Sequence, residues 1–386
     1  MFLRGIVGLL FLALGAGEPG GDAGEAAISI RPLTPMPFTA GTGEKPQSKV
    51  WRHAGNWWAV LPCSAGTKLW RLDDTEWVDV LHLADSTTVK ADVRAVGEVA
   101  HILLYDGVDS RLVSVEYDAG ANRYAPWSTR PQAVRIPLEP AAEIATIDVD
   151  PSGRMWLASD DETAMHVRWS DAPYDAWSRP IALATDVSAD DICAITAFPD
   201  GSMGFLWSNQ TTKRYGFRVH AAGAPPEDWA ADEIPAAASA IPWHNGMADD
   251  HLNMAVASNG TLYAAVKTSY DTEGYPLIAL LVRRPSGAWD RMYSVDDKGT
   301  RGIVLLNEEQ NTVMVVYTSG RANAIVCRAS DATRIAFGPR QVLMRCETRA
   351  NNATSTKQNV TDEVVILASR EGVLEGARVC WEGQRK

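Results

Sequence analysis

The chain has 386 residues, 46% of them apolar, enough for one large β or α/β domain or for two smaller ones. Its formal net charge is −12, with 36 Lys and Arg against 48 Asp and Glu. No basic cluster offsets that balance, which excludes a nucleic-acid partner or an anionic membrane surface, since either would need a basic face.

The first residues, "MFLRGIVGLLFLALGAGEP", carry one cation, Arg4, then an apolar run that ends in small residues at Gly15-Ala16-Gly17. That order predicts a cleaved secretory signal over 1–17. The run is short for a bilayer span, so a membrane anchor is the lesser alternative. Residues 18–26 read as a flexible Gly- and acid-rich linker. No later apolar run approaches spanning length, so the expectation is a secreted or periplasmic protein, a monomer, with no membrane association once the signal is removed. Export permits disulfides. The five cysteines (Cys63, Cys193, Cys327, Cys346 and Cys380) are widely spaced, odd in number and without a CxxC pair. One bridge among the last three is an option beside the plainer reading of small buried hydrophobes.

From residue 48 onward the sequence repeats. A turn after an apolar strand recurs in "HAGNWWAVLP", "DPSGRMWLAS", "FPDGSMGFLWS" and "ASNGTLYAAVK", with weaker copies in "AVGEVAHILLY", "NEEQNTVMVVYTS" and "NVTDEVVILAS". The turns lie near residues 55, 97, 153, 201, 260, 311 and 362, about 51 residues apart. A second marker runs in phase: a strand, a polar turn, then Trp77, Trp127, Trp177, Trp229, Trp289 and Phe337, with gaps of 50, 50, 52, 60 and 48. Short alternating runs of Val, Ile, Leu, Trp and Tyr, stopped by Gly, Asn, Asp and Pro, are strands rather than helices. Two hairpins per repeat, seven times over, predict an all-β, seven-bladed β-propeller of four-stranded antiparallel blades over 27–382. The recurrent aromatic is expected to pack blade against blade. The seventh repeat stops after three strands, with "NVTDEVVILAS" read as the first two and "GARVCW" as the third. An open edge there would be a liability, so "AISIRPL", residues 27–33, is expected to close the ring as the outer strand of the last blade.

Seven such repeats with short first turns resemble the broad superfamily of sialidase-like, BNR-repeat propellers at fold level. "SDAPYDAW", Ser170 to Trp177, is a loose relative of that superfamily's Asp-box, without its Gly and with the Asp shifted. Sialidases proper have an Arg-Ile-Pro near the N-terminus and usually six blades. The one Arg-Ile-Pro here, Arg135-Ile136-Pro137, falls in an outer strand of blade two. "DDHLN", Asp249 to Asn253, is similar to the Asp-Asp-His-Asn stretch of the seven-bladed BNR-repeat lyases that cut ulvan, with Leu252 inserted. Where that family has a second histidine, this chain has Tyr270 and Asp271.

Propellers gather function at the mouth formed by the loops that enter the inner strands and by those that join the second strand to the third. Here the entry loops bring Lys90, Asp92, Asp191, Asp250, His251, Arg301, Lys357 and Gln358 toward one rim, and the other loops add Asn209, Arg214, Tyr270 and Asp271. Acids, bases and amides converging from several blades suit a polysaccharide or other glycan partner. A lyase acting on uronic-acid polymers needs a cation on the carboxylate, a base near neutral pKa and an acid for the leaving oxygen. Arg301 or Lys357, His251 and Tyr270 fit those roles. A hydrolase would use paired carboxylates, for which Asp191 and Asp250 are the candidates. The plainer reading of His251 is a structural hydrogen bond at a strand start. The Asp-Asp pair also recurs in blade four as "ADDICA", which favours architecture for that pair. No metal or cofactor motif is present, and the Asp-Asp pairs read as exposed turns before they read as Ca²⁺ sites. Two function classes follow: an exported lyase or glycosidase-like enzyme, or a glycan- or protein-binding module on the same rim.

Overall fold

The computed structural model describes residues 28–43, 46–241, 244–320 and 323–382, so the expected signal and linker lie outside the described residues. Seven antiparallel sheets of short strands form the seven-bladed β-propeller, with no helix among the described residues. The inner strands are Val50–His53, Lys90–Val96, Ala145–Val149, Cys193–Ala197, Leu252–Val256, Thr300–Asn307 and Asn351–Thr354. Within a blade the strands lie in chain order, so each is two hairpins side by side. The first turns of the blades fall where the repeat marks them. Six of them carry a residue in the left-handed region, from Gly55 at φ 78° to Asn311 at φ 48°, which explains the run of Gly and Asn.

Three blades depart from the four-strand pattern. In blade two the outer edge is split into Arg123–Pro126 and Val134–Arg135, both paired with Arg111–Asp118. In blade four the outer strand shrinks to the isolated bridges His220–Trp229 and Phe217–Glu233 beside a three-stranded sheet. The segment holds Pro225, Pro226 and Pro235, each without the N–H a ladder requires. In blade seven the inner strand is Asn351–Thr354 and the second is Glu363–Arg370. "NVTDEVVILAS" therefore supplies one strand rather than two, and Lys357 and Gln358 lie past the inner strand instead of before it. The polar "NNAT" carries no alternation to mark it as a strand, and a bulge with Asn352 at φ 56° interrupts its pairing. Ring closure is as the sequence predicts. Ile28–Pro32 pairs antiparallel with the end of Val373–Trp381, from Ile28 opposite Trp381 to Pro32 opposite Ala377.

The apolar core is a ring of clusters, each shared between adjacent blades. The recurrent aromatics enter these clusters. Trp77 joins the one between blades seven and one, Trp127 and Trp177 the one between two and three, and Trp229 the one between three and four. Trp289 and Phe337 serve the next two interfaces. Trp289 also donates from Nε1 to Glu233 at 2.7 Å, beside the Arg283–Glu233 ion pair that joins blades four and five. All five cysteines are free, so no bridge forms among Cys327, Cys346 and Cys380. Burial pushes the Cys327 thiol up to about 12, in keeping with a packed hydrophobe.

Inner strands are also stitched to one another by side chains. Asp92 accepts from Ile147 N at 2.8 Å, Asp148 from Ala197 N at 2.9 Å, and Asn253 from Val304 N at 3.0 Å. Before blade one, a buried strap closes part of the blade-entry mouth. Gln47 Nε2 donates to Ala145 O at 2.9 Å, Thr354 Oγ1 donates to Gln47 O at 3.2 Å, and Ser48 N donates to Asp92 at 2.9 Å.

Candidate functional site

The blade-entry mouth stays polar over blades four to six. Residues 234–241 and 244–250, part of the long gap between Trp229 and Trp289, run over this part of the ring and bury Ala236, Met247 and Ala248 before delivering Asp249-Asp250-His251 to the inner strand of blade five. Tyr215 holds that delivery in place. Its buried hydroxyl lies 2.6 Å from Lys267 O, 3.0 Å from Asp249 O and 3.2 Å from His251 O, and Asp249 N approaches it at 3.3 Å.

His251 is 4% exposed. Its Nδ1 lies 2.7 Å from Asp249 Oδ1 and also meets the Asp250 carboxylate. The second Asp249 oxygen takes Lys267 Nζ and, at 3.0 Å, the hydroxyl of Ser269. Two carboxylates thus face Nδ1, and Nε2 lies 3.4 Å from Thr300 Oγ1. Next to Thr300, Arg301 sits at φ 57° in a bulge and has no hydrogen bond or ion pair among the described residues. Arg214, at the start of the third strand of blade four, has a buried Nε without a partner. An unpaired guanidinium can receive an anionic ligand. Asp249, Asp250 and His251 bring ligand atoms within 4.8 Å of one another. The Lys267 ammonium already neutralises Asp249, so the group offers a cation less charge than its composition suggests.

Other expected residues are committed elsewhere. Asp191 is fully buried and accepts from Ser188 N at 2.7 Å and Gln210 N at 3.0 Å; burial nonetheless raises its pKa. It does not pair with Asp250, whose partner is His251. Asn209 accepts from Thr212 N at 2.8 Å within its own turn. Tyr270 is 4% exposed, and its hydroxyl accepts from Ile241 N at 3.0 Å; burial raises the phenol. Asp271 is exposed, with His244 Nδ1 at 4.0 Å. Lys90 begins the inner strand of blade two, opposite Tyr105.

Asp92, Lys357 and Gln358 do not join this rim. Asp92 is buried inside the channel and accepts from Lys357 Nζ at 2.6 Å, while the same ammonium donates to Ile147 O at 2.6 Å. Gln358 bonds both backbone groups of Arg52, at 2.8 Å and 3.1 Å, and so ties blade seven to blade one. These residues lie toward the opposite mouth because the inner strand of blade seven precedes them. Sequence reasoning missed Lys267, Ser269, Thr300 and the anchoring role of Tyr215. A lysine closing the apolar "LYAAVK" was the available signal for the first.

No family model matches the chain, and no curated protein matches it in sequence. Solved structures do resemble it. The polysaccharide lyase Uly1 aligns with a TM-score of 0.53 at 9% identity, over 88% of this chain and 90% of that one. An ulvan lyase of polysaccharide lyase family PL25, bound to -[GlcA(1-4)Rha3S]-, aligns with a TM-score of 0.52 at 10% identity, over 89% and 95%. A protein from Lactobacillus plantarum aligns with a TM-score of 0.52 at 14% identity, over 78% and 85%. At these identities the likeness is one of fold: the chain shares a propeller architecture with enzymes that act on polysaccharides.

Proposed function

We propose that the chain is an exported carbohydrate-active propeller that takes an acidic polysaccharide at the blade-entry mouth over blades four to six and cleaves it by β-elimination. The observation that carries this reading is His251, its Nδ1 held by Asp249 and Asp250 and its Nε2 near Thr300, the chain neighbour of the unpaired Arg301. In such a reaction Arg301 neutralises the uronate carboxylate. His251 Nε2 removes the neighbouring ring proton, the electron pair forms the new double bond, and the glycosidic oxygen leaves. Tyr270, whose hydroxyl is engaged by Ile241 N, is not part of this step, and the leaving oxygen takes its proton from solvent. Fold likeness to two polysaccharide lyases supports the substrate class. The leader read over 1–17 supports export.

The test is a screen of the purified protein against acidic and neutral polysaccharides, following ultraviolet absorbance of the unsaturated product together with reducing ends. Both should rise on an acidic substrate, and His251→Ala should lower the rate by about 100-fold or more. Reducing ends without absorbance would overturn elimination. A second reading, recognition without cleavage, is favoured by the 4% exposure of His251. It predicts retention on an immobilised acidic glycan with no product, and loss of that retention in Arg301→Ala.

A further inference from the structure

At the mouth opposite His251 the central channel opens into a cavity of about 500 Å³. That size lies within the roughly 300–1,000 Å³ usual for small-molecule sites. Pro46 contributes to its lining, and the strap Gln47–Lys49, bonded to blades two, three and seven, crosses the channel beyond it. Met254, which lines the cavity, stands three residues from His251 along inner strand Leu252–Val256, a run of roughly 10 Å at the usual rise.

Val149, Ile195, Met254 and Val256 of three inner strands give the walls an apolar part, beside the polar Thr146, Asp148, Asp150 and Thr196. Two cations reach into this setting. Arg94 Nε lies 2.8 Å from Asp148 Oδ1, off the axis needed for a hydrogen bond, and the two terminal nitrogens have no partner among the described residues. Lys357 uses two of its three protons on Asp92 and Ile147 O. Their counter-charges are saturated by backbone N–H groups: Asp148 by Val149 and Ala197, Asp92 by Ser48 and Ile147. The open hydrogen-bonding capacity at this end is therefore that of donors, and a guanidinium presents its paired terminal nitrogens to a carboxylate.

We propose that this cavity binds a small amphipathic carboxylate, with its anionic end on Arg94 and Lys357 and its apolar body against Val149, Ile195, Met254 and Val256. This site is separate from the glycan mouth and does not depend on it. The test is isothermal titration calorimetry of the full chain with phenylbutyrate, and with phenylbutanol as the uncharged analogue. Phenylbutyrate should bind saturably, at one per chain and about tenfold more tightly than the alcohol, a difference of about 1.4 kcal/mol. Arg94→Gln should remove that preference. Met254→Trp, which fills the cavity and leaves both cations in place, should abolish binding. Failure of the wild type to bind phenylbutyrate, equal affinity for acid and alcohol, or undiminished binding by Met254→Trp would each overturn the proposal. The acid–alcohol comparison needs no variant and decides the matter even if both substitutions misfold.

Discussion

Nδ1 of His251 lies 2.7 Å from Oδ1 of Asp249, two residues earlier in the chain, and the other oxygen of that carboxylate receives Lys267 and Ser269. Asp249 is 7% exposed, so this is a buried node in which one anion serves an imidazole, an ammonium and a hydroxyl. Asp249→Asn leaves Lys267 without its counter-charge and should cost about 3 kcal/mol of stability. Ser269→Ala removes one neutral donor and should cost about 1 kcal/mol or less. Urea denaturation of both variants checks the order. Equal losses would mean that the carboxylate is not the organising group.

Tyr215 acts on the same node through the backbone. Its hydroxyl is shared among three carbonyls, and Tyr215→Phe leaves them short of a donor in a fully buried place. The expected cost is about 1–2 kcal/mol. If His251 transfers a proton, the pH profile of turnover should also shift in Tyr215→Phe while substrate affinity changes little. A loss of stability with an unchanged profile would confine Tyr215 to architecture.

Two buried groups set opposing pH dependences. Burial pushes the Asp160 carboxyl, fully buried at the end of a second strand, up to about 7 even though Glu143 N and Ile144 N donate to it. Its folded pKa is raised above the ordinary 3.8, so its contribution is fully present below that value and is lost as pH rises toward about 7. Burial and the nearby Arg130 pull His101 down from 6.5 to about 4. That contribution is present above 6.5 and is lost as pH falls toward about 4. Between those limits the two slopes oppose each other, each by up to about 1.4 kcal/mol per pH unit. Asp160→Asn removes one of them. The variant should lose stability on acidification below about 6.5, where the wild type stays nearly flat, and adding His101→Gln should restore flatness. Denaturation midpoints from pH 4 to 7 read this directly.

The architecture was legible because its signals are local. Gly55, Gly153 and Gly260 mark turns that need left-handed backbone, and Trp77 through Phe337 mark one interface position per repeat. The gap of 60 before Trp289 already registered the extra segment over the mouth. What failed was register within polar strands: "NNAT" pairs as an inner strand with no alternation to announce it, and that shift moves Lys357 and Gln358 to the other mouth. The site was legible only as a set of residue types. His251 and Asp250 do meet, but Tyr270 turns its hydroxyl to Ile241 and Asp191 turns its carboxylate to Gln210, each meeting a backbone N–H. Which polar side chain satisfies its own loop, and which is left over as Arg301 is, depends on backbone direction that composition does not carry.

Closure of the ring gives the last test. Ile28–Pro32 covers the edge of Val373–Trp381, and Leu33 N donates to Gly376 O at 2.9 Å. Leu33 is 4% exposed and packs so closely on Gly376 that a β-carbon there would meet Leu33 Cδ1 at 2.9 Å. Leu33→Ala should therefore cost about 2–4 kcal/mol while keeping the strand in place. Removing residues 1–37 exposes a full ladder edge, and such a chain should melt lower than Leu33→Ala and self-associate on warming. Light scattering during a thermal melt separates the two effects. If the truncated chain melts like the full one without scattering, the N-terminal strand decorates blade seven and some other contact holds the ring shut.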